Sequence, residues 1–281
     1  MTLAQDFLNI IDTIAAAIDL PAVKSVHVGP YQNQPQKSSK FGALVLEDDS
    51  VGVTYMDIDN ALLELSTDRS RLQLEGRPAV EVAQMYAAGP GWQRCLGMAA
   101  INAISQHVFK RCDYQFHRPD KTVEVVGIDP GDHIGMVGYF PPLVEQIGAI
   151  GARLTVIELD RKWLHRQRNL EVTLQLEKLS SCKKVICTGT TLINQTLDDV
   201  LACSVNAESF HLIGPTVGCL PDPLFKRGVT AIGGLHVESC QHFINLWENQ
   251  QRWRDAAARY TIERSQYPGL GVLLKNQRQG I

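Results

Sequence analysis

The chain lacks an excess of positive charge and any apolar run long enough for a bilayer. Of its 281 residues, 27 are Lys or Arg and 30 are Asp or Glu, a formal net charge of −3. That balance gives no general attraction for a polyanion, and nucleic acid is not an expected partner. No stretch reaches the roughly 18 apolar residues of a membrane span. The first twenty residues are apolar at Leu3, Phe7, Ile10, Ile11, Ile14 and Ile18, but carry Asp6, Asp12 and Asp19. This is the spacing of an amphipathic helix and not the pattern of a signal peptide, so no membrane partner and a cytoplasmic location are expected. The seven cysteines are odd in number and include no Cys-x-x-Cys pair, which argues against a disulfide framework. Gly-x-Ser-x-Gly, a Walker loop and His-Glu-x-x-His are all absent, which removes the commonest hydrolase, phosphate-binding and zinc-protease signatures.

What remains is ordinary globular composition, 44% hydrophobic and 20% charged, in a chain large for a single core. The pattern suggests two domains, 1–110 and 111–281. In the first, the opening helix is followed by a short strand at Ser25–Val28 and a polar loop from Gly29 to Lys40. Phe41–Leu46 and Val51–Met56 then form a hairpin about Glu47–Ser50. Helical patterns follow at Ala79–Ala88 and Trp92–Phe109. The second of these carries Gly97, Ala99, Ala100 and Ala103, small residues that admit close approach in a core or in a homo-oligomer interface. Strands grouped before helices describe an α+β domain.

From Thr122 the style changes to strand, turn and helix in repetition. Val123–Ile128 reads as a strand, Ile134–Gly138 as another whose turn feeds a helix opened by Pro141 and Pro142, and Arg153–Glu158 as the next. A long closing helix is expected near Gln241–Arg259. Short, continuously apolar runs that stop at glycine imply an α/β class fold: a Rossmann-like, mostly parallel sheet with helices on both faces. Ligands of such sheets sit at the carboxyl ends of the strands, which directs attention to the stops.

The first stop is Gly138-Tyr139-Phe140. In a nucleotide-binding fold this turn faces the cofactor and an acid ending the next strand, here Glu158 with Asp160 behind it, holds the ribose. Bulky Tyr139 and Phe140 replace the bare backbone that a dinucleotide pyrophosphate needs, so a dehydrogenase is disfavoured; an acid that merely ends its strand is the alternative for Glu158. The second stop, Thr188-Gly189-Thr190-Thr191 with Asn194, offers three hydroxyls beside a helix start, suited to an anion or carboxylate or, more simply, to an N-cap on Thr190 or Thr191. Gly214 and Thr216 form the third. For metal the candidates are His133, His211, His236, His242, Cys187, Cys219 and Cys240; none has closed-site zinc spacing, His236 and Cys240 share a face only if both are helical, and Cys187 reads most simply as core.

Gly97–Ala103, Met136–Pro142, Cys187–Asn194 with Thr196–Asp198, and Gly214–Thr216 with Pro221 together resemble the domain-of-unknown-function family of putative heavy-metal chelation proteins. The resemblance covers nearly the whole chain. It implies an enolase N-terminal-like domain followed by a Rossmann-like domain, with a site between them lined by the three turns and reached by Asn102 from the last N-terminal helix. A buried amide that ties neighbouring elements is the plain alternative for Asn102. The resemblance further implies a small-molecule ligand and condensation or hydrolysis chemistry in making pterin-, flavin- or siderophore-like chelators. A non-catalytic chelation protein and an S-adenosylmethionine-dependent methyltransferase are the competing readings. A transition metal or a nucleotide-like molecule is the cofactor class left open.

Overall fold

A computed structural model describes residues 1–29 and 40–276. Apart from its two ends, the expected polar loop Gly29–Lys40 lies outside the described residues. The opening helix, α1 (Leu3–Ala17), begins where the Thr2 hydroxyl accepts from the Gln5 N–H at 3.2 Å, and it buries Phe7, Ile11 and Ile14 on one face. Asp6 on that face is buried as well, against Arg227 at 2.6 Å and Lys226 at 3.3 Å.

Strand β1 (Val23–Val28) and the hairpin β2 (Phe41–Leu46) and β3 (Val51–Tyr55) form an antiparallel sheet in the order β1-β2-β3. Helices α2 (Ala61–Thr67), α3 (Ala79–Ala88) and α4 (Gly91–Arg111) follow. The small residues of α4 explain its place. Gly97 lets α3 approach so closely that a Cβ there would stand 2.2 Å from the Tyr86 nitrogen. Gly52 of β3 sits against Ala99 and Ala103, where an added Cβ would stand 2.0 Å from the Ala99 oxygen. Residues 95–109 of α4 are buried within the monomer, so its small-residue surface forms core, not a face left open for another copy.

The large sheet runs β11-β10-β9-β8-β4-β5-β7-β6. Its parallel strands are β4 (His133–Val137), β5 (Arg153–Ile157), β7 (Leu170–Thr173), β8 (Lys184–Thr188), β9 (Ser209–Ile213) and β10 (Ala231–Val237), flanked by antiparallel β6 (His165–Arg166) and β11 (Ala257–Glu263). With β4 as the first strand, the chain winds outward through β5 and β7, then crosses to β8, β9 and β10. This is the doubly wound order, and its switch point lies between β4 and β8. The connecting helices are α5 (Thr122–Val126), α6 (Pro141–Ile150), α7 (Leu197–Cys203), α8 (Asp222–Lys226), α9 (Cys240–Glu248) and α10 (Leu270–Asn276). The mixed α/β class with a Rossmann-like sheet and a smaller antiparallel sheet is thus the architecture observed.

Two expected elements are corrected. Val123–Ile128 is not a strand. Thr122–Val126 forms a short helix burying Val123 and Val126, three apart, and ends at Gly127 with φ 64°. Packing against the core overrides the strand preference of a β-branched run. The long closing helix is also absent: α9 stops at Glu248, and Ala257–Glu263 pairs antiparallel to β10, burying Tyr260 and Ile262 in the alternation of an edge strand.

The turn between β2 and β3 is fastened to α4 by Asp48, whose Oδ2 accepts from His107 Nδ1 at 2.9 Å and from the Ser50 hydroxyl at 2.8 Å. Burial alone would raise this carboxyl; the bonds from His107 and from both the side chain and backbone of Ser50 outweigh it and hold Asp48 well below the usual carboxylate range. A folded-state pKa below the unfolded value gives stability that is present above about pH 4 and lost as pH falls through the acid range. Asp48→Asn should therefore cost about 1–2 kcal/mol at pH 7 and flatten the acid limb of stability in urea titrations from pH 7 to pH 3. Gly52→Val should cost about 3 kcal/mol by the same measurement, because the atoms it meets are α4 backbone, which cannot give way as a side chain can.

Candidate functional site

The switch point brings together two of the glycine stops. Gly138 follows β4 with φ +85°, and a Cβ there would lie 3.1 Å from Thr188 Cγ2 at the end of β8. A side chain would fit only tightly between these strand ends, and glycine reaches this φ at no steric cost. Gly189 continues the row, with its nitrogen 3.8 Å from where a Gly214 Cβ would stand at the end of β9. The turns at Gly138, Thr188–Gly189 and Gly214 therefore stand side by side at the strand ends.

The side chains around these turns are already engaged in part. Thr188 caps the next turn, its Oγ1 accepting from the Thr190 N–H at 3.3 Å and the Thr190 hydroxyl at 3.1 Å. The cap is thus Thr188, not Thr190 or Thr191. Thr191 is buried and donates to the Thr188 carbonyl at 2.8 Å, and Asn194 Oδ1 accepts from the Thr196 N–H and hydroxyl at 3.2 and 2.7 Å. Glu158 closes the first turn. Its Oε2 accepts from the Tyr139 N–H at 2.9 Å, and its Oε1 from the N–H groups of Leu159 and Asp160 at 2.7 and 3.1 Å. Tyr139 stacks on Trp163 at 4.9 Å and 15°, while Phe140 packs on the core beneath.

Asn102 and Thr216 lie deeper, in the seam between the two sheets. The Asn102 amide donates to the Val53 carbonyl at 2.8 Å and the Thr216 carbonyl at 2.9 Å, and Thr216 Oγ1 accepts from the Tyr55 N–H at 3.1 Å. Both residues are buried, and Asn102 Oδ1 has no partner among the described residues. One turn on, the Ser105 hydroxyl accepts from the Leu220 N–H at 2.9 Å, and Gln106 Nε2 donates to the Gly218 carbonyl at 2.9 Å. The loop after β8 is held in a similar way, by Tyr86 donating to the Leu192 carbonyl at 2.7 Å and Arg94 to the Ile193 carbonyl at 2.8 Å. None of these contacts is local in sequence, and only the polar spacing 102, 105, 106 on an otherwise apolar helix could have signalled them.

Two family models, both described as putative heavy-metal chelation, match residues 39–105 and 121–257. Together they match 204 of the 281 residues, so through most of its length the chain is similar to proteins of that description. It is also 30% identical, over 176 residues, to an uncharacterized protein of Methanocaldococcus jannaschii; that match spans 61% of this chain and 66%, just under two thirds, of the archaeal one. A crystal structure of a family protein of unknown function from Desulfitobacterium hafniense has TM-score 0.68 and 19% identity, covering 92% of this chain and 99% of that one. Another, from Pyrococcus horikoshii, has TM-score 0.64 and 18% identity, covering 93% and 98%. At these identities the likeness speaks for the fold alone.

The family's description raises the question of whether these residues fit a bare metal ion. Among the described residues no group of three or more His, Cys, Asp and Glu side chains converges to hold one. The remaining residues, 30–39 and 277–281, contain none of these four types. Thiol chemistry points the same way, since burial pushes Cys187 and Cys219 up to about 12 and, with Asp49 adding to it, Cys240 up to about 11. A thiol ligates as its thiolate, which these environments oppose. Of the histidines, His211 is buried in β9 and pushed down to about 4 by that burial, His133 bonds Thr155 at 2.9 Å, and His242 is exposed on α9. His236 belongs to β10 and Cys240 opens α9, so the helical face proposed for the pair does not exist. A preformed cage for a free ion does not fit this chain.

Asn102→Leu leaves the Val53 and Thr216 carbonyls without their donor while also removing the orphaned Oδ1. The net cost should be about 2 kcal/mol in urea unfolding, with Asn102→Asp worse because it buries a charge in the same place.

Proposed function

We propose that the chain binds a small polar organic molecule in the strand-end crevice, and that any metal it handles arrives inside that molecule. The observation that carries this reading is the meeting of Gly138 and Thr188 at the β4/β8 switch point, where a Cβ on Gly138 would come within 3.1 Å of Thr188. The doubly wound order makes this the crevice in which ligands of such sheets lie, and the absence of a side chain at Gly138 lets a ligand approach the turn closely. The misfit of the donor set to a free ion favours a chelate over an ion. Chelation then describes the ligand, and the protein's part is recognition.

Methyltransferase chemistry has less support. The Glu158 carboxylate expected to hold a ribose is already engaged by three backbone N–H groups at 2.7 to 3.1 Å. For condensation or hydrolysis, the crevice would need a nucleophile with its base, and the hydroxyls of Thr188, Thr190 and Thr191 bond each other and the local backbone. Binding of a preformed chelator, with or without its metal, is the form of the proposal that uses the residues as they stand.

Thermal unfolding against S-adenosylmethionine, flavin and nicotinamide nucleotides, pterins and the chlorides of zinc, copper and nickel tests this. A ligand at about 100 times its dissociation constant adds roughly 2.7 kcal/mol. The expected result is a rise in Tm with an organic compound, alone or with metal, that disappears in Gly138→Val, whose fold is checked by circular dichroism before ligand is added. Stabilisation by metal chlorides alone, undiminished in Gly138→Val, would contradict the proposal.

A further inference from the structure

Away from the strand-end crevice, at the other end of the polar face of α4, lies a cleft of about 690 Å³. Its walls are the end of α4, the aromatic segment 114–116, the turn between β2 and β3, and the passage from β10 into α9. The volume falls within the usual range for a small-molecule site, about 300–1,000 Å³. His236 lines it, and three contacts define the state of that ring.

Gln106 is buried and its Nε2 donates to the Gly218 carbonyl at 2.9 Å, which turns its Oε1 toward His236 Nδ1, also at 2.9 Å. An amide oxygen can only accept, so Nδ1 carries the proton. In the neutral ring Nε2 is then a lone pair, and it has no hydrogen-bond partner among the described residues. Burial first, with Arg118 and Lys110 adding to it against Glu238, keeps the His236 pKa below the ordinary imidazole value, so the neutral ring prevails at pH 7. The ring lies 5.3 Å from Phe116, which stacks on Tyr260 at 4.2 Å, so His236 is the outermost member of an aromatic ladder anchored in the core. A lone pair of fixed tautomer, on a ring that lines a cleft with Phe109 and Tyr114 in its wall, suits a hydrogen-bond donor carried on a ring.

We propose that this cleft is a second ligand site, distinct from the strand-end crevice, in which His236 Nε2 accepts a hydrogen bond from a neutral aromatic molecule bearing an O–H or N–H group. The proposal stands apart from the reading of the crevice and survives its failure, since no residue is shared between them.

The test uses the full chain, labelled with ¹⁵N at histidine, and two probes of one shape: phenol, which has the donor, and its methyl ether anisole, which does not. Ring ¹⁵N shifts at pH 7 should show His236 protonated at Nδ1 and bare at Nε2. Phenol should move the Nε2 resonance saturably and anisole should leave it in place, while the exposed His117 and His242 respond to neither. Gln106→Leu should release the ring to the Nε2–H tautomer and abolish the response to phenol; His236→Phe, which keeps the ladder, should remove the site without unfolding the protein. Finding the Nε2–H tautomer in the unaltered chain would overturn the proposal. So would equal responses to phenol and anisole, or a response to phenol confined to His117 and His242.

Discussion

The polar face of α4 is the interaction on which the rest of the structure depends. Asn102, Ser105 and Gln106 occupy one side of a helix that is otherwise buried among apolar residues, and each bonds backbone in the loop 216–220, with Asn102 also holding Val53 of β3. Buried amides and hydroxyls are costly without partners, so these bonds are obligatory once the helix is interior. They join the antiparallel sheet to the loop that follows β9, and so determine where the small sheet stands relative to the strand ends. Close approach makes this possible. Gly97 admits α3 and Gly52 admits the helix to β3, distances that no larger residue would permit.

From that seam the placement of both proposed sites follows. The doubly wound order places the β4 and β8 ends side by side, and the turns at Gly138 and Gly189 keep backbone bare there. Farther along the same helix face, Gln106 links the seam to His236 and sets which ring nitrogen carries the proton. One row of side chains therefore serves as mechanical tie at Asn102 and as chemical orienter at Gln106. No comparable convergence exists for a bare ion among the described residues, and buried thiols held near 12 make poor ligands.

Much of the architecture is legible in the sequence because its physical causes are local. Apolar runs ending in glycine mark the parallel strands, four polar residues mark the hairpin turn, and Gly97 with Ala99 and Ala103 marks a helix that is closely packed. The elements read wrongly are those where tertiary context decides. Thr122–Val126 carries β-branched residues yet forms a helix, and Ala257–Glu263 is drawn from an expected helix into an edge strand by pairing with β10. The candidate site is legible as a set of turns but not as a set of roles. Thr188, Thr190 and Thr191 look like three free hydroxyls until the structure shows them bonded to one another and to backbone. The Gln106–His236 pair spans 130 residues, and periodicity carries no information at that distance.

Native mass spectrometry of gently purified protein, followed by denaturation and identification of whatever is released, addresses the central claim most directly. The account predicts a stoichiometric organic adduct, with any metal leaving as part of it. A stoichiometric bare metal ion, retained on the chain with no organic mass beside it, would contradict the account.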